Sequence, residues 1–205
     1  MKIIFKGKPD DDKIKNIFLI RLENEEEFLI SDEDYFSNGV YELDFIDEKK
    51  LRELSINLLV KKAKAIAIKF VILKIRSTGE VKTKLASLGY SEDIIHSTIE
   101  YLLESNYVND ENYARAYSNH LFKTKRLSTN QVKYELKRKG VDTEIIDSVL
   151  GDQELSDLEV AKSAFQKKYR NFDNSDKKQK AKAQNFLMSK GFSYDIIKQV
   201  FEDEV

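Results

Sequence analysis

Apolar residues recur along this chain in two rhythms, and the change between them comes early. In the first 31 residues they stand at even spacings: Ile14, Phe18, Ile20 and Leu22, then Phe28 and Ile30 after the acidic run "ENEEE". That alternation predicts a β-hairpin turning on the acidic run, and "KIIF" at residues 2–5 offers a third strand. Ser31 and Asp34 have the spacing of a helix N-terminal cap, and Gly39 is placed to end that short helix. Asp47 then opens a helical pattern, Leu51, Leu54, Leu58 and Leu59, that runs towards Ile75 without a proline. From there to the end the chain reads as helix. The expected organisation is an N-terminal β-hairpin segment with a short helix (1–46), a connecting helix (47–75), and helical repeats at 76–125, 126–176 and 177–205.

The helical part repeats itself. "LASLGYSEDIIHSTI", "LKRKGVDTEIIDSVL" and "LMSKGFSYDIIKQVF" share one frame at a period of 51 residues. Relative to Gly89, Gly140 and Gly191, a leucine stands four before, an apolar residue one after, and paired isoleucines five and six after. Glycine just past a helix end takes the left-handed conformation at least cost. Ser91, Asp142 or Ser193 follows to cap the next helix. Each unit reads as helix, tight turn, helix, closed by a third helix, with the last unit truncated after its second. The predicted fold class is mainly α, with tandem three-helix repeats in an elongated stack behind the small β-hairpin-containing segment. Asp110 reads as the cap of a helix containing Tyr113, Ala114 and Tyr117, and Ser128 with Gln131 as a capping box.

Composition supports the helical reading: 205 residues carry one proline, Pro9, and only seven glycines. The absence of cysteine excludes disulfides and thiolate chemistry and suits a reducing cytoplasm. "MKIIFKGKPDDDK" lacks the apolar core and cleavage site of a secretory signal. The most apolar window, "AIAIKFVILKI" (Ala65–Ile75), is too short to span a membrane and contains Lys69 and Lys74, so it reads as a buried helix of a soluble protein. Charge changes the picture more. Residues 1–60 hold 9 basic and 15 acidic side chains, residues 61–140 hold 16 and 8, and residues 141–205 hold 10 and 13. A basic middle in a near-neutral chain points to an anionic partner there.

Catalytic chemistry is scarce. His96 and His120 lie in different repeats without a carboxylate pattern, and there is no glycine-rich phosphate loop, no HExxH and no metal-spaced cluster. Asp10–Asp12 and Glu25–Glu27 read as solvated turns. No catalytic residue, metal or cofactor is assigned, and the chain reads as a binding protein. The candidate contacts are cations. Lys133 and Lys137 are four apart, opposite Val132 and Leu136, with Arg138 and Lys139 beside them and Lys123, Lys125 and Arg126 before the same helix. Lys74, Arg76, Lys82 and Lys84 hold comparable places in the first repeat. In the third repeat the run Lys177, Lys178, Lys180 and Lys182 is displaced towards the linker. Glu80–Lys84 and Glu135–Lys139 have helix salt-bridge spacing, so part of this charge supports the helices.

Three elements in order carry a resemblance. They are Ser77, Glu80, Val81 and Leu85 in "LKIRSTGEVKTKLASLGY"; Asn109, Asp110, Tyr113 and Ala114 in "YVNDENYARAY"; and Val132, Glu135, Leu136, Lys139, Gly140 and Val141 in "QVKYELKRKGV". Together they resemble the RecX family of RecA regulators over roughly residues 60–205. The chain departs from the family's Gly-Pro at Ser128-Thr129 and has Lys74 where the family favours arginine. The resemblance implies a monomer that binds the RecA–DNA filament along its groove, touches DNA through phosphates, and restrains recombinase, ATPase and coprotease activities. Two other readings stay open: a DNA-binding helix–turn–helix regulator acting without a recombinase, and a helical scaffold for an acidic protein.

Overall fold

In the computed structural model, which describes residues 1–10, 15–152, 156–173 and 175–202, the alternating N-terminal stretch folds as three antiparallel strands in the order β1-β2-β3. These are β1 (Ile3–Gly7), β2 (Ile17–Leu22) and β3 (Glu27–Ser31). Ile20, Leu22 and Ile30 point to one face and are fully buried, while Arg21 points away and pairs with Glu27 at 2.6 Å. Ile14, Asp11 and Asp12 lie outside the described residues. Ser31 caps α1 (Asp32–Ser37) by accepting from the Asp34 amide, and Gly39 follows at φ 63°. α2 (Glu48–Ile72) lays Leu51 and Leu54 on the sheet, in one core with Ile20 and Ile30. α3 (Thr78–Ala86) leads to α4 (Glu92–Glu104), which packs against α2. On α2, Ala63 and Ala67 are buried four residues apart; on α4, Ile94, Ile95, Thr98 and Leu102 are buried.

The apolar window at Ala65–Ile75 is less buried than its composition predicts. Only Ala67 and Val71 are buried, and Ile72, Leu73 and Ile75 are 64–78% exposed. The helix ends at Ile72, and only one of its faces is covered.

Met1–Ile72 with Leu85–Glu104 form one unit; Leu73–Lys84 with Ser105–Val205 form the other. The second unit contains the start of α3, then α5 (Asp110–His120), α6 (Thr129–Arg138), α7 (Thr143–Gly151), α8 (Asp157–Lys168), α9 (Lys177–Ser189) and α10 (Tyr194–Glu202). α5 packs on α7 and α8 on α10, so grouping begins with the helix before each turn and the last group has three helices. One core runs through both groups, from Ala114, Leu136 and Ile146 to Phe165, Leu187 and Ile197. α5 passes into a π-helical turn, Leu121–Lys125, on which Leu121 and Phe122 are both buried.

The repeated glycines are left-handed, with φ of 84°, 72° and 87° at Gly89, Gly140 and Gly191. Each turn closes the same way: Tyr90, Val141 and Phe192 donate their amides to the carbonyls of Leu85, Leu136 and Leu187, each at 3.3 Å.

Within the second unit, the N-terminus of α3 is docked on the α6–α7 turn. The Ser77 hydroxyl donates to the Lys139 carbonyl at 2.5 Å and accepts from the Glu80 amide at 3.1 Å. Gly79 and Gly140 meet backbone to backbone: a Cβ on Gly79 would lie 2.6 Å from the Gly140 Cα and from the Lys139 carbonyl oxygen. Asp110 is not the cap of α5. Asn109 fills that role by accepting from the Asn112 amide. Asp110 instead uses both carboxylate oxygens on Thr78, accepting from its amide at 2.8 Å and its hydroxyl at 2.5 Å.

The arrangement recurs at the N-terminus of α6, docked on the α9–α10 turn. The Thr129 amide and hydroxyl donate to Asp157 at 2.8 and 2.7 Å. Ser128 accepts from the Gln131 amide, but its own amide donates to the Lys190 carbonyl at 3.0 Å, so only half of the expected capping box forms.

At the first of these seams the Glu80 carboxylate accepts from Lys139 at 3.0 Å, Arg76 at 3.3 Å and the Ser77 amide at 3.5 Å. Burial pushes the Glu80 carboxyl up, but the hydrogen bond and charge of Lys139, with Ser77 and Arg76, outweigh burial and hold it below its ordinary value. Burial first, then Glu80, raises the Tyr113 phenol.

Two outcomes are expected. Alanine at Gly89 meets nothing within 4 Å, so Gly89→Ala should cost only the left-handed strain, about 1 kcal/mol. Gly140→Ala adds a collision with the Gly79 backbone and should cost clearly more. Gly79→Ala sits inside a helix, where propensity alone would stabilise by about 1 kcal/mol, yet the collision should make it destabilising. Thermal melts of the three variants check the order.

The second concerns pH. Because its folded pKa is depressed, Glu80 contributes its full stability above the value of about 4.3 of an ordinary glutamate and loses it as pH falls through the lower folded value. Glu80→Gln should therefore lose about 1–3 kcal/mol at neutral pH. In urea melts across pH, its deficit relative to the wild type should shrink towards pH 3.

Candidate functional site

The basic face read from the sequence around α6 is largely neutralised from within. Lys133 pairs with Asp147 of α7, Arg138 pairs with Glu135 at 3.1 Å, and Lys139 pairs with Glu80 at 3.0 Å. Arg76 also pairs with Glu80, at 3.3 Å. Sequence spacing placed Lys133 and Lys137 on one stripe, but the tight turn at Gly140 swings α7 back and sets Asp147 beside Lys133. Val132 and Leu136 are fully buried, as their spacing predicts. Lys82 and Lys84 lie on α3, Lys82 exposed and Lys84 half-buried. Lys74, Lys123 and Lys137 are exposed and, among the described residues, carry no ion pair.

A second group of cations converges around the α6 N-terminus. Lys125 and Arg126 close the π-helical turn, with Arg126 itself left-handed at φ 51° and its Nε donating to the Ser163 hydroxyl at 3.1 Å. Lys190, the C-cap of α9, donates from Nζ to the Lys125 carbonyl at 2.6 Å. Lys168, at the end of α8, lies with its Nζ 4.0 Å from the centre of the Phe186 ring, and the Lys190 Nζ lies 5.3 Å from the same ring. Burial lowers the Lys190 ammonium pKa, and the charges of Lys125, Lys168 and Arg126 lower it further.

Arg126 also borders an open groove of about 670 Å³ with Lys162, Lys167 and Arg170. The acid in that groove, Glu159, spends its carboxylate on the Ser156 amide and hydroxyl at 2.8 and 2.9 Å. Sequence reasoning named Lys125 and Arg126 but missed Lys168, Lys190, Lys167 and Arg170. Those four belong to the stretch with net negative charge, and only the folding of α8 and α9 against the end of α5 brings them to this place.

The arrangement offers positive charge and hydrogen-bond donors; among the described residues no group of three His, Cys, Asp or Glu is placed to hold a metal ion. No helix among the described residues is long and apolar enough to cross a membrane.

Comparison with known proteins gives a consistent result. Family models described as the first, second and third three-helix domains of RecX match residues 63–102, 109–150 and 156–201. "Regulatory protein RecX" of Clostridium botulinum (strain Alaska E43 / Type E3) is 32% identical over 192 residues, covering 92% of this chain and 88% of that protein. The protein of the same name from Finegoldia magna is 28% identical and covers 97% of this chain and 96% of its own length. Among solved structures, "Crystal structure of regulatory protein RecX" superposes with a TM-score of 0.66 at 20% identity, covering 98% of both chains. "Crystal structure of RecX from Lactobacillus salivarius" gives 0.58 at 27% identity, over 70% of this chain and 95% of that one. With three domain matches in order and a relative 32% identical over 92% of this chain, the protein belongs to the RecX family.

Proposed function

We propose that this protein is a non-enzymatic, cytoplasmic regulator that binds the RecA–DNA filament as a monomer and restrains its recombinase, ATPase and coprotease activities. The reading is carried by the family match along nearly the whole chain, to relatives named regulatory proteins. The second unit supports it with a distribution of charge suited to a polyanion. Lys74, Lys123 and Lys137 are exposed without ion pairs among the described residues, and Lys125, Arg126, Lys168 and Lys190 are gathered at one seam. Clustered cations of this kind bind phosphates by releasing condensed counterions, so affinity falls as salt rises. The scarcity of catalytic groups in the sequence fits action by binding.

Strand exchange and ATP hydrolysis by the cognate recombinase, with this protein below the recombinase concentration, test the reading. Inhibition at such ratios is expected. A protein that binds duplex DNA by itself and leaves strand exchange unaffected would instead be a free-standing DNA-binding regulator.

The contact surface has its own test. The triple variant Lys74→Glu, Lys123→Glu, Lys137→Glu should fold normally, since exposed substitutions cost about 0.5 kcal/mol or less each. Its filament binding should be much weaker, and the salt dependence should flatten by about one unit of slope for each phosphate that is no longer neutralised. Lys2→Glu, Lys15→Glu, Lys49→Glu, in the acidic first third, should change neither. Lys6 is unsuitable as a control, because its ammonium bonds the Tyr41 and Leu43 carbonyls at 2.8 and 2.6 Å. Full inhibition by the folded triple variant would remove these lysines from the interface.

A further inference from the structure

The two seams in the second unit are built on one frame offset by 51 residues, so they can be compared position by position. Ser77 corresponds to Ser128, Thr78 to Thr129, Lys139 to Lys190 and Gly140 to Gly191. At the first seam the ammonium of Lys139 is met by the carboxylate of Glu80 at 3.0 Å. At the second, the residue in Glu80's place is Gln131. Gln131 is seated at the seam: its Cβ and Oε1 lie 2.9 and 3.6 Å from where a Cβ on Gly191 would sit. An amide brings no charge, so Lys190 lacks the carboxylate that Lys139 has.

The cations are also arranged differently. Arg76 of the first repeat becomes Leu127 and Ile75 becomes Arg126, so the arginine moves by one position, and, counted from the matched Asp110 and Asp157, 47 residues apart, Leu121 at the end of α5 is replaced by Lys168 at the end of α8. The Lys190 Nζ donates to the Lys125 carbonyl, Lys168 and Lys190 share the ring of Phe186, and Arg126 is steadied by the Ser163 hydroxyl. None of the four cations carries an ion pair among the described residues. Two backbone features coincide with the cluster. The π-helical turn Leu121–Lys125 ends there, and Arg126 holds a left-handed conformation that costs a non-glycine residue about 1 kcal/mol or more. Like charges gathered at the expense of local strain mark a site that a ligand completes.

We propose that Lys125, Arg126, Lys168 and Lys190 form a phosphate-binding site, in which a phosphate group plays at the second seam the part that the Glu80 carboxylate plays at the first. Phosphate fits better than a carboxylate because one group presents several anionic oxygens, enough to meet an arginine fork and more than one ammonium. Lys125 and Arg126 belong to the second three-helix group, and Lys168 and Lys190 to the third, so the bound phosphate holds the two together. A free phosphate and the backbone phosphate of a nucleic-acid strand present the same chemistry. Only the second source rests on the filament reading.

The test uses the full chain as wild type, Gln131→Glu and Lys190→Gln, melted in sodium chloride and in inorganic phosphate at equal ionic strength and pH. The wild type should gain melting temperature in phosphate in a saturable way, as a ligand bound only to the folded state requires. Gln131→Glu supplies the missing carboxylate near the N-terminus of α6, where a negative charge is favoured. It should melt higher than the wild type in chloride and lose the phosphate response. Lys190→Gln should lose the response as well, and serves alone if Gln131→Glu does not fold. An equal rise in all folded proteins would be the general salting effect of phosphate and would overturn the proposal, as would a wild type that rises no more in phosphate than in chloride.

Anisotropy of a fluorescent single-stranded oligonucleotide then separates the sources. A loss of about tenfold in affinity in Gln131→Glu, the worth of one charge-assisted contact, identifies a strand phosphate. Unchanged oligonucleotide affinity with the phosphate response gone identifies free phosphate. The phosphate response does not depend on a recombinase, so it stands or falls separately from filament inhibition.

Discussion

One approach in the second unit, the backbone of Gly79 against the backbone of Gly140, sets the geometry of everything around it. With no side chain on either glycine, the first turn of α3 comes near enough for the Ser77 hydroxyl to reach the Lys139 carbonyl and for the Glu80 carboxylate to reach the Lys139 ammonium. Asp110 then satisfies the Thr78 amide from the other side, so a helix N-terminus that would leave amides unpaired is held by groups far off in sequence. A buried polar network of this kind is favourable only when each member is satisfied, because leaving one group unpaired costs its full desolvation. The left-handed turn is therefore more than a chain reversal. It presents a carbonyl, an ammonium and a bare Cα at one point, and the docked helix is matched to all three.

What was legible in the sequence follows from that division. The frame is one-dimensional: a leucine, a glycine four later and two isoleucines beyond it fix helix, turn and helix, and those elements stand where the spacing put them. The strands were legible for the same reason, since alternation is local. Seams were not. Ser77 and Lys139 are 62 residues apart and Thr78 and Asp110 are 32 apart, and nothing in either stretch announces the other. Asp110 shows the consequence. A carboxylate beside a helix start has a local reading as its cap, and that reading loses to a partner the chain supplies from α3, while Asn109 takes the local role.

Charge was legible as an amount and illegible as a surface. Counting located the basic middle, but counting cannot tell a lysine that faces solvent from one that meets an acid in the next helix. Lys133 has its aspartate on α7 and Lys139 its glutamate on α3, so two of the cations most prominent in the sequence are engaged internally. The group at the second seam, without ion pairs among the described residues, draws half its members, Lys168 and Lys190, from a stretch whose net charge is negative. Net charge over a segment averages opposite faces of its helices, and a ligand meets only one of them.

An internal repeat makes a control of each copy for the others. The serine, the threonine with its aspartate, and the left-handed glycine are common to both seams. Positions that differ mark where the two dockings are built differently: Gly79, which meets the Gly140 backbone, is Asn130 at the second seam, where Gly191 faces Ser128 and Gln131 instead. Glu80 and Gln131 occupy one such position, and its effect passes directly to the lysine across the seam. Lys139 is held in an ion pair, whereas Lys190 is left among other cations, where burial and then their charges lower its pKa. If stability alone had shaped the second seam, a glutamate at 131 would have improved it without disturbing the frame. The same chain places one at the equivalent site 51 residues earlier. With the amide in place of the carboxylate, and with Lys168 beside Lys190 on the Phe186 ring, the second seam holds cations without the internal acid of the first, an arrangement that an anion would complete.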